Sequence, residues 1–159
     1  RFLQGRASNG YLLSSCVVAE HQISSVLASV PVKGLCVKPA AFQYYDPMTL
    51  SEAMSLLAQF GDGARPLAGG QSLVPLMNLR LIRPSHLVDL NGVGELRYLK
   101  LDNGELRIGA MTRQRQLERS AEVGNHWPLL REATSYIGHI QIRNRGTVGG
   151  SLAHAYPSA

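Results

Sequence analysis

The sequence predicts an α+β fold, with a small parallel α/β lobe followed by the start of a mixed or antiparallel α+β lobe. Three observations carry this. Residues 66–90 run apolar strand, helix-compatible segment, apolar strand, and a helical crossover of that kind returns the chain for parallel pairing. Farther on, Asp102-Asn103-Gly104 separates two apolar runs, and Asn-Gly supplies the positive φ values of a tight hairpin turn. Two glycine doublets, Gly69-Gly70 and Gly149-Gly150, fall one in each part, each close to a serine.

Residues 1–36 stand apart, since they lack a clear hydrophobic period and begin with Arg1 rather than methionine. Leu13-Ser14-Ser15-Cys16 is similar to a lipoprotein cleavage box, but its apolar run is short and interrupted, which favours a leader, a linker or translated upstream sequence. We expect this segment to be poorly ordered or loosely docked, and removable without loss of the fold.

From Pro39 the pattern becomes regular. Thr49-Leu50-Ser51-Glu52 is a capping box, with Thr49 as the cap and Glu52 reaching back. Leu50, Ala53, Met54 and Leu57 recur at helical spacing, Gly61 suits the helix end, and Asp62-Gly63 turns into a strand over 66–68. Residues 73–79 read as a short helix, with Pro75 tolerable only in its first turn. A strand over 86–90 ends at Asn91-Gly92, and the hairpin joins strands over 96–101 and 105–110. Thr112 can cap a short helix through Leu117, with Arg113, Arg115 and Arg119 on a solvated face. Trp127, Leu130, Ala133, Thr134 and Ile137 make a further helix with Pro128 near its start, and Trp127 reads as a core anchor rather than a cofactor-stacking ring. Ile140 and Ile142 lead into the second doublet.

The doublets carry the chemistry. In Arg65-Pro66-Leu67-Ala68-Gly69-Gly70-Gln71-Ser72-Leu73 a strand stops at two residues without side chains, so bare backbone N–H groups can approach a partner. A helix starting near Ser72 adds its free N-terminal N–H groups, and phosphate is the ligand such a site suits best. A lone Gly-Gly reads equally as an ordinary strand-to-helix turn. The second stretch, Arg145-Gly146-Thr147-Val148-Gly149-Gly150-Ser151, reads as a similar loop and shifts the weighing, because two such loops can close on one pyrophosphate from two sides. That reading requires Gly69 and Gly150 to face a common site. Gly-Lys-Ser/Thr and Gly-x-Gly-x-x-Gly are both absent, so this is neither a P-loop nor a Rossmann fingerprint.

Composition narrows the partners. With 159 residues, 45% of them apolar, the chain is one ordinary domain or part of a larger one, with enough apolar material for a core. Only 17% of residues are charged, which suggests that further surface is covered by a partner or by more chain. The net charge of +5 comes from dispersed arginines with few aromatics among them, which fits an anionic small molecule at least as well as nucleic acid. No apolar run approaches a membrane span. Cys16 and Cys36 lack metal-ligand spacing, and two thiols are too few for an iron–sulfur cluster of four ligands. No acid–base or nucleophilic set stands out, so no catalytic and no metal-ligating residue is assigned. His139 and His154, beside the second doublet, read as structural.

Five stretches in order carry a resemblance: Lys38-Pro39-Ala40-Ala41-Phe42, Ala68-Gly69-Gly70-Gln71-Ser72, Leu87-Val88-Asp89-Leu90, Ile108-Gly109-Ala110-Met111-Thr112, and the run from Gln141 through Gly149-Gly150-Ser151 to Ala155. Together they closely resemble the FAD-binding medium subunit of molybdenum hydroxylases, of the aerobic carbon monoxide dehydrogenase and xanthine dehydrogenase type, from Val37 to Ala159. The resemblance implies a two-part, vanillyl-alcohol-oxidase-like FAD-binding fold, here its N-terminal part, with residues 37–92 as the small lobe and 93–159 as the start of the larger one. It implies that Ala68, Gly69, Gly70, Gln71, Ser72 and Leu73, with Thr147, Gly149, Gly150 and Ser151, line the FAD diphosphate, and that Ala110 and Thr112 lie by the flavin. It also implies a large molybdopterin-binding partner subunit and a small 2Fe-2S partner subunit, which hold the molybdenum cofactor and the clusters, and a cytoplasmic setting.

Two departures from the family pattern are evident. Tyr156 stands where a small or acidic residue is usual, and the sequence given stops at Ala159, just before an acidic residue expected to contact the cofactor. The 159 residues alone are therefore expected to bind FAD weakly or not at all. Two rival readings stay open at this point: a truncated, non-catalytic remnant, and a nucleotide-phosphate binding module without redox activity.

Overall fold

A computed structural model describes residues 38–155. The expectations for residues 1–36, for Cys16 and Cys36, and for Tyr156 and Ala159 lie outside the described residues.

The first part is organised by one parallel sheet. Strands β1 (Gln43–Tyr45) and β2 (Ala64–Leu67) both pair in parallel with β3 (His86–Asp89), which is central, in the order β1-β3-β2. β1 is an addition to the sequence prediction: three residues, two of them exposed, give no alternation to read. Helix α1 (Leu50–Phe60) starts at its capping box, with Thr49 Oγ1 accepting from Glu52 N at 3.2 Å, while the Glu52 carboxylate reaches back one residue past the cap and accepts from Met48 N. Its apolar side packs on the sheet. Ala53, Val88 and Val93 are fully buried, with Leu50, Leu56, Leu57, Leu90 and Leu96 around them. Fully burying a valine such as Val88 or Val93 contributes about 1.5–3 kcal/mol. Met54, expected on that face, is 62% exposed, and Leu56 takes the contact instead. The stripe drifts round the helix toward Leu56, which leaves Met54 on the flank.

Helix α2 (Leu73–Asn78) crosses from β2 towards β3, with Pro75 in its first turn as expected. In the second part, strands β4 (Leu99–Asp102) and β5 (Glu105–Ile108) form the hairpin, in which Leu99 faces Ile108 and Leu101 faces Leu106. Asn103 and Gly104 take φ values of 50° and 83°, the left-handed pair that a two-residue turn demands. β4 starts later than the sequence suggested, because Gly94–Leu96 is a 3₁₀ turn.

Short helices follow: α3 (Gln114–Arg119), α4 (Ala121–His126), α5 (Pro128–Ser135), α6 (Ile140–Arg145) and α7 (Val148–His154). Glu118 joins them. It accepts from Arg115 at 2.7 Å and from Arg143 Nε at 2.9 Å, and Arg143 also donates to the carbonyls of Ile137 and Gly138. The hydrogen bonds from Arg115 and then Arg143 hold the Glu118 carboxyl below its ordinary pKa, against an opposing push from burial. Arg115 is thus an ion-pair partner of Glu118 within α3, Arg143 makes the pair between helices, and of the three arginines only Arg119 keeps the expected exposed position. Trp127 is half-buried at the N-cap of α5 beside the His126 ring, and the fully buried residue of this region is Val123. A tryptophan ahead of the first helical turn lies off the helical face to which its spacing assigns it.

Candidate functional site

The carboxyl ends of β2 and β3, where Leu67 pairs with Asp89, open onto a cleft of about 450 Å³. Clefts beyond the carboxyl ends of parallel strands are where open α/β sheets bind ligands. Its lining includes Ala68, Gly69, Gly70 and Gln71 from the first doublet, Asp89 and Asn91 from the end of β3, and Arg145 from the approach to the second doublet.

The first doublet leaves its N–H groups free, while the Gly69 and Gly70 carbonyls accept from Gln71 Nε2 and Val74 N. Among the described residues, the N–H groups of Gly69, Gly70, Gln71 and Ser72 make no hydrogen bond, and the Ser72 hydroxyl caps no N–H of α2. Gly70 has φ +71°, a conformation that a side chain disfavours. Leu73 opens α2 and is half-buried. Unbonded N–H groups beside a cleft are what an anion needs.

The second doublet is a different object. It is not a loop but the first turn of α7, with Thr147 as N-cap. Every early N–H there is already engaged: Val148 donates to Thr112 O at 3.0 Å, Gly149 to Ala110 O at 2.8 Å, Gly150 to Thr147 Oγ1 at 3.1 Å, and Ser151 to Thr147 O at 3.1 Å. Glycine disfavours a helix by about 1 kcal/mol relative to alanine, so its presence needs a reason. Close approach supplies one. A Cβ on Gly149 would lie 2.6 Å from Ala110 Cβ, and one on Gly150 would lie 2.7 Å from Thr147 Oγ1 and 3.5 Å from Ala68 Cβ. What this segment presents is surface and a hydroxyl. Ser151 Oγ accepts from buried Gln114 Nε2 at 2.7 Å, which leaves the serine hydrogen to donate elsewhere. Gln114 Oε1 is buried without a partner.

The segments nevertheless converge. A Cβ on Gly69 would stand 2.3 Å from Arg145 O and 2.8 Å from Gly146 Cα, and Gly150 approaches Ala68. Gly69 and Gly150 therefore face one another's segments, as a shared site requires. Ala110 lies against Gly149 at the same junction and is exposed. Thr112 is fully buried and does not cap α3. Its Oγ1 donates to Tyr98 O at 2.7 Å, and Arg113 occupies the N-cap position. Thr147 is also buried, with its hydroxyl accepting the Gly150 N–H. We expect Thr147→Ala to cost about 1 kcal/mol of stability, the usual value of such a cap, read as a lower thermal midpoint.

Sequence reasoning missed the polar frame behind the cleft. Asp89 Oδ1 accepts from both nitrogens of Asn91, and Asp89 Oδ2 accepts from the Tyr44 hydroxyl at 2.5 Å, which pushes the Tyr44 pKa up to about 12. Asn91 Nδ2 also donates to Ala68 O at 2.9 Å, and Arg97 donates to Asn91 O at 2.8 Å. Arg113, placed by its sequence on a solvated face, is half-buried and donates to Asn91 Oδ1 and to Arg145 O. Burial first, and then the charges of Arg97 and Arg145, lower its pKa, although a guanidinium stays cationic in proteins. The available signal was the polar Asp89 and Asn91 directly after a buried strand. A larger depression, of about 550 Å³ between Arg115, Arg119, Arg131 and Glu132, contains neither doublet, and Arg115 and Arg131 are already bonded to Glu118.

The residues present fit an anionic dinucleotide: free N–H groups, a positive-φ glycine, and an arginine beside a cleft. Residues 40–159 match the family described as the FAD binding domain in molybdopterin dehydrogenase. This chain belongs to that family. It is 48% identical over 123 residues to the 6-hydroxypseudooxynicotine dehydrogenase complex subunit alpha of Paenarthrobacter nicotinovorans, an overlap that covers 77% of this chain and 42% of that one. It is 45% identical to the carbon monoxide dehydrogenase medium chain of Hydrogenophaga pseudoflava, covering 75% and 42%. Among solved structures, quinoline 2-oxidoreductase from Pseudomonas putida 86 is 43% identical with a TM-score of 0.73, covering 77% of this chain and 42% of that one. The chain thus spans less than half the length of the relatives it matches. FAD is the cofactor of the family, and the mixed α+β fold with its parallel and antiparallel sheets is the family's FAD-binding fold. Among the described residues, no helix is long and apolar enough to cross a membrane, and no cluster of His, Cys, Asp and Glu is suited to a metal ion.

Proposed function

We propose that this chain is the FAD-binding portion of the medium subunit of a molybdenum hydroxylase. In this reading substrate is oxidised at a molybdenum cofactor on a large partner subunit. Electrons reach this chain through 2Fe-2S clusters on a small partner subunit and leave to an external acceptor, in the cytoplasm. When bound, FAD supplies the redox chemistry, and the protein supplies binding and orientation. The observation that carries the reading is the meeting of the two glycine segments at one cleft, with the N–H groups of residues 69–72 unbonded.

In this assignment Ala68, Gly69, Gly70, Gln71, Ser72 and Leu73 hold the diphosphate through backbone N–H groups and the Ser72 hydroxyl. Thr147, Gly149, Gly150 and Ser151 close the other side, with the Ser151 hydroxyl as the available donor. Ala110 and Thr112 border the flavin, Thr112 from within the packed turn. Residues 37–92 then form the small lobe and 93–159 the start of the larger one. Family membership favours this reading over a non-catalytic remnant or a phosphate-binding module without redox activity. The substrate lies with the partner. The relatives' names span carbon monoxide, quinoline and a nicotine derivative on closely similar chains, so nothing in this one selects among them.

The test is FAD titration of the full-length protein, followed by flavin fluorescence, with Gly70→Val and Gly150→Val beside the wild type. A branched side chain at Gly70 opposes φ +71°, and at Gly150 it meets Thr147 Oγ1 and then Ala68. Both variants are expected to lose flavin. Unchanged occupancy in both would show that these segments do not hold the diphosphate.

A further inference from the structure

Arg113 is absent from the cleft lining, yet it touches both walls through other groups. One guanidinium nitrogen donates to Arg145 O, at the edge of the second segment. The other donates at 2.6 Å to Asn91 Oδ1. The Asn91 amide then donates from its far side to Ala68 O, at the edge of the first segment, at 2.9 Å. The circuit closes on itself, because Arg145 O is also the atom against which Gly69 is packed. Arg113 is anchored by its backbone as well, in an antiparallel bridge with Thr147.

The Asn91 amide can serve only one way round. Turned over, its NH₂ would face the guanidinium and its oxygen would face Ala68 O and Asp89 Oδ1, so that donor met donor and acceptor met acceptor. The relay is therefore directional. It runs from Arg113 to Asn91 to Ala68, with Asp89 and Tyr44 holding its base. A guanidinium is suited to this place because its planar fork carries two donors in fixed relation, where an ammonium is a single point charge on a flexible stem.

We propose that Arg113 is a positioning residue for the cofactor: with Asn91 it fixes the separation and register of the two glycine segments, and so the width of the site between them. This rests on the FAD-binding reading above. Arg113 makes no claim on the cofactor itself. Its effect passes through the carbonyls of Ala68 and Arg145, whose own neighbours carry the free N–H groups and the glycine contact.

The test compares Arg113→Lys, Arg113→Met, Asn91→Leu and the double variant Arg113→Met/Asn91→Leu in the full-length protein. FAD dissociation constants are read by fluorescence, and the thermal midpoint of the flavin-free protein is read in parallel. Each single variant is expected to weaken FAD binding about tenfold, with Lys failing to restore it. The double variant should be little weaker than the worse single one, because both break the same relay. A general loss of packing would instead lower the midpoint and leave the dissociation constant of the folded fraction unchanged. If Arg113→Met does not fold, the Lys variant and Asn91→Leu carry the comparison. Wild-type affinity in Arg113→Lys, or additive losses in the double variant, overturns the relay and leaves the FAD reading standing. A wild-type protein that binds no FAD overturns the FAD reading itself.

Discussion

Gly69→Ala in the full-length protein is expected to lower FAD affinity about a hundredfold, equivalent to about 2.7 kcal/mol. The added methyl would stand 2.3 Å from Arg145 O and 2.8 Å from Gly146 Cα. Both obstacles are backbone, so neither can rotate aside, and the two segments must part. Overpacking of this kind typically costs about 1–3 kcal/mol, here released by widening the site that the cofactor needs closed. Gly94→Ala is the matched control, because a Cβ there meets nothing within 4 Å. Gly94→Ala should keep wild-type flavin content while Gly69→Ala loses it in the same titration. Equal flavin content in the two would show that the contact between residue 69 and the second segment has no bearing on the cofactor.

Glu118→Ala is expected to give the largest loss of stability in the helical part, and its cause is independent of the cofactor. The carboxylate is the shared acceptor of Arg115 and Arg143, with side-chain exposures of 21% and 11%. Its removal leaves two partly buried cations facing one another. Hydrogen bonds to charged groups contribute about 1.5–3 kcal/mol each, and the loss here should fall in or above that range. The pH dependence follows from the direction of the Glu118 shift. Its pKa is lowered in the folded protein, so the carboxylate's contribution is complete above the ordinary glutamate value. That contribution is lost as pH falls through the lowered folded value. Thermal midpoints of wild type and Glu118→Ala should therefore differ most near neutral pH and converge in acid. A gap that stays constant down to the acid limit would mean that Glu118 acts through packing and not through its charge.

Local signals reached far into this chain because they rest on short-range physics. A capping box fixes a helix start through bonds within one turn, and Thr49 with Glu52 placed α1 correctly. Asn103-Gly104 fixed the hairpin because few other pairs accept two positive φ values. The parallel unit followed from element order, and the two glycine stretches marked where the chain approaches itself closely, because only residues without side chains permit such approach. The ordered set of motifs carried the family, and with it FAD.

Everything that depends on residues distant in sequence had to wait for the fold. Whether a backbone N–H is free is a tertiary fact: the two doublets look alike in sequence, yet residues 69–72 keep their N–H groups open while those of residues 148–151 are bonded to Ala110, Thr112 and Thr147. Arginines 113, 115 and 119 look alike too. Only the fold sends Arg113 to Asn91 and Arg145, Arg115 to Glu118, and Arg119 to solvent. Trp127 and Met54 left the core for a related reason, since spacing gives the existence of an apolar face but not the direction in which the neighbouring layer will lie. The sequence by itself therefore determined α1, the hairpin turn, the parallel unit around β2 and β3, the glycine positions and the family, because each rests on a residue's own conformational freedom, on neighbours within a turn or on the order of motifs along the chain. The tertiary structure alone decided which donors remain open and which cation links the two glycine segments from behind the cleft, because a hydrogen bond between residues 91 and 113 exists only once β3 and the start of α3 have been brought together.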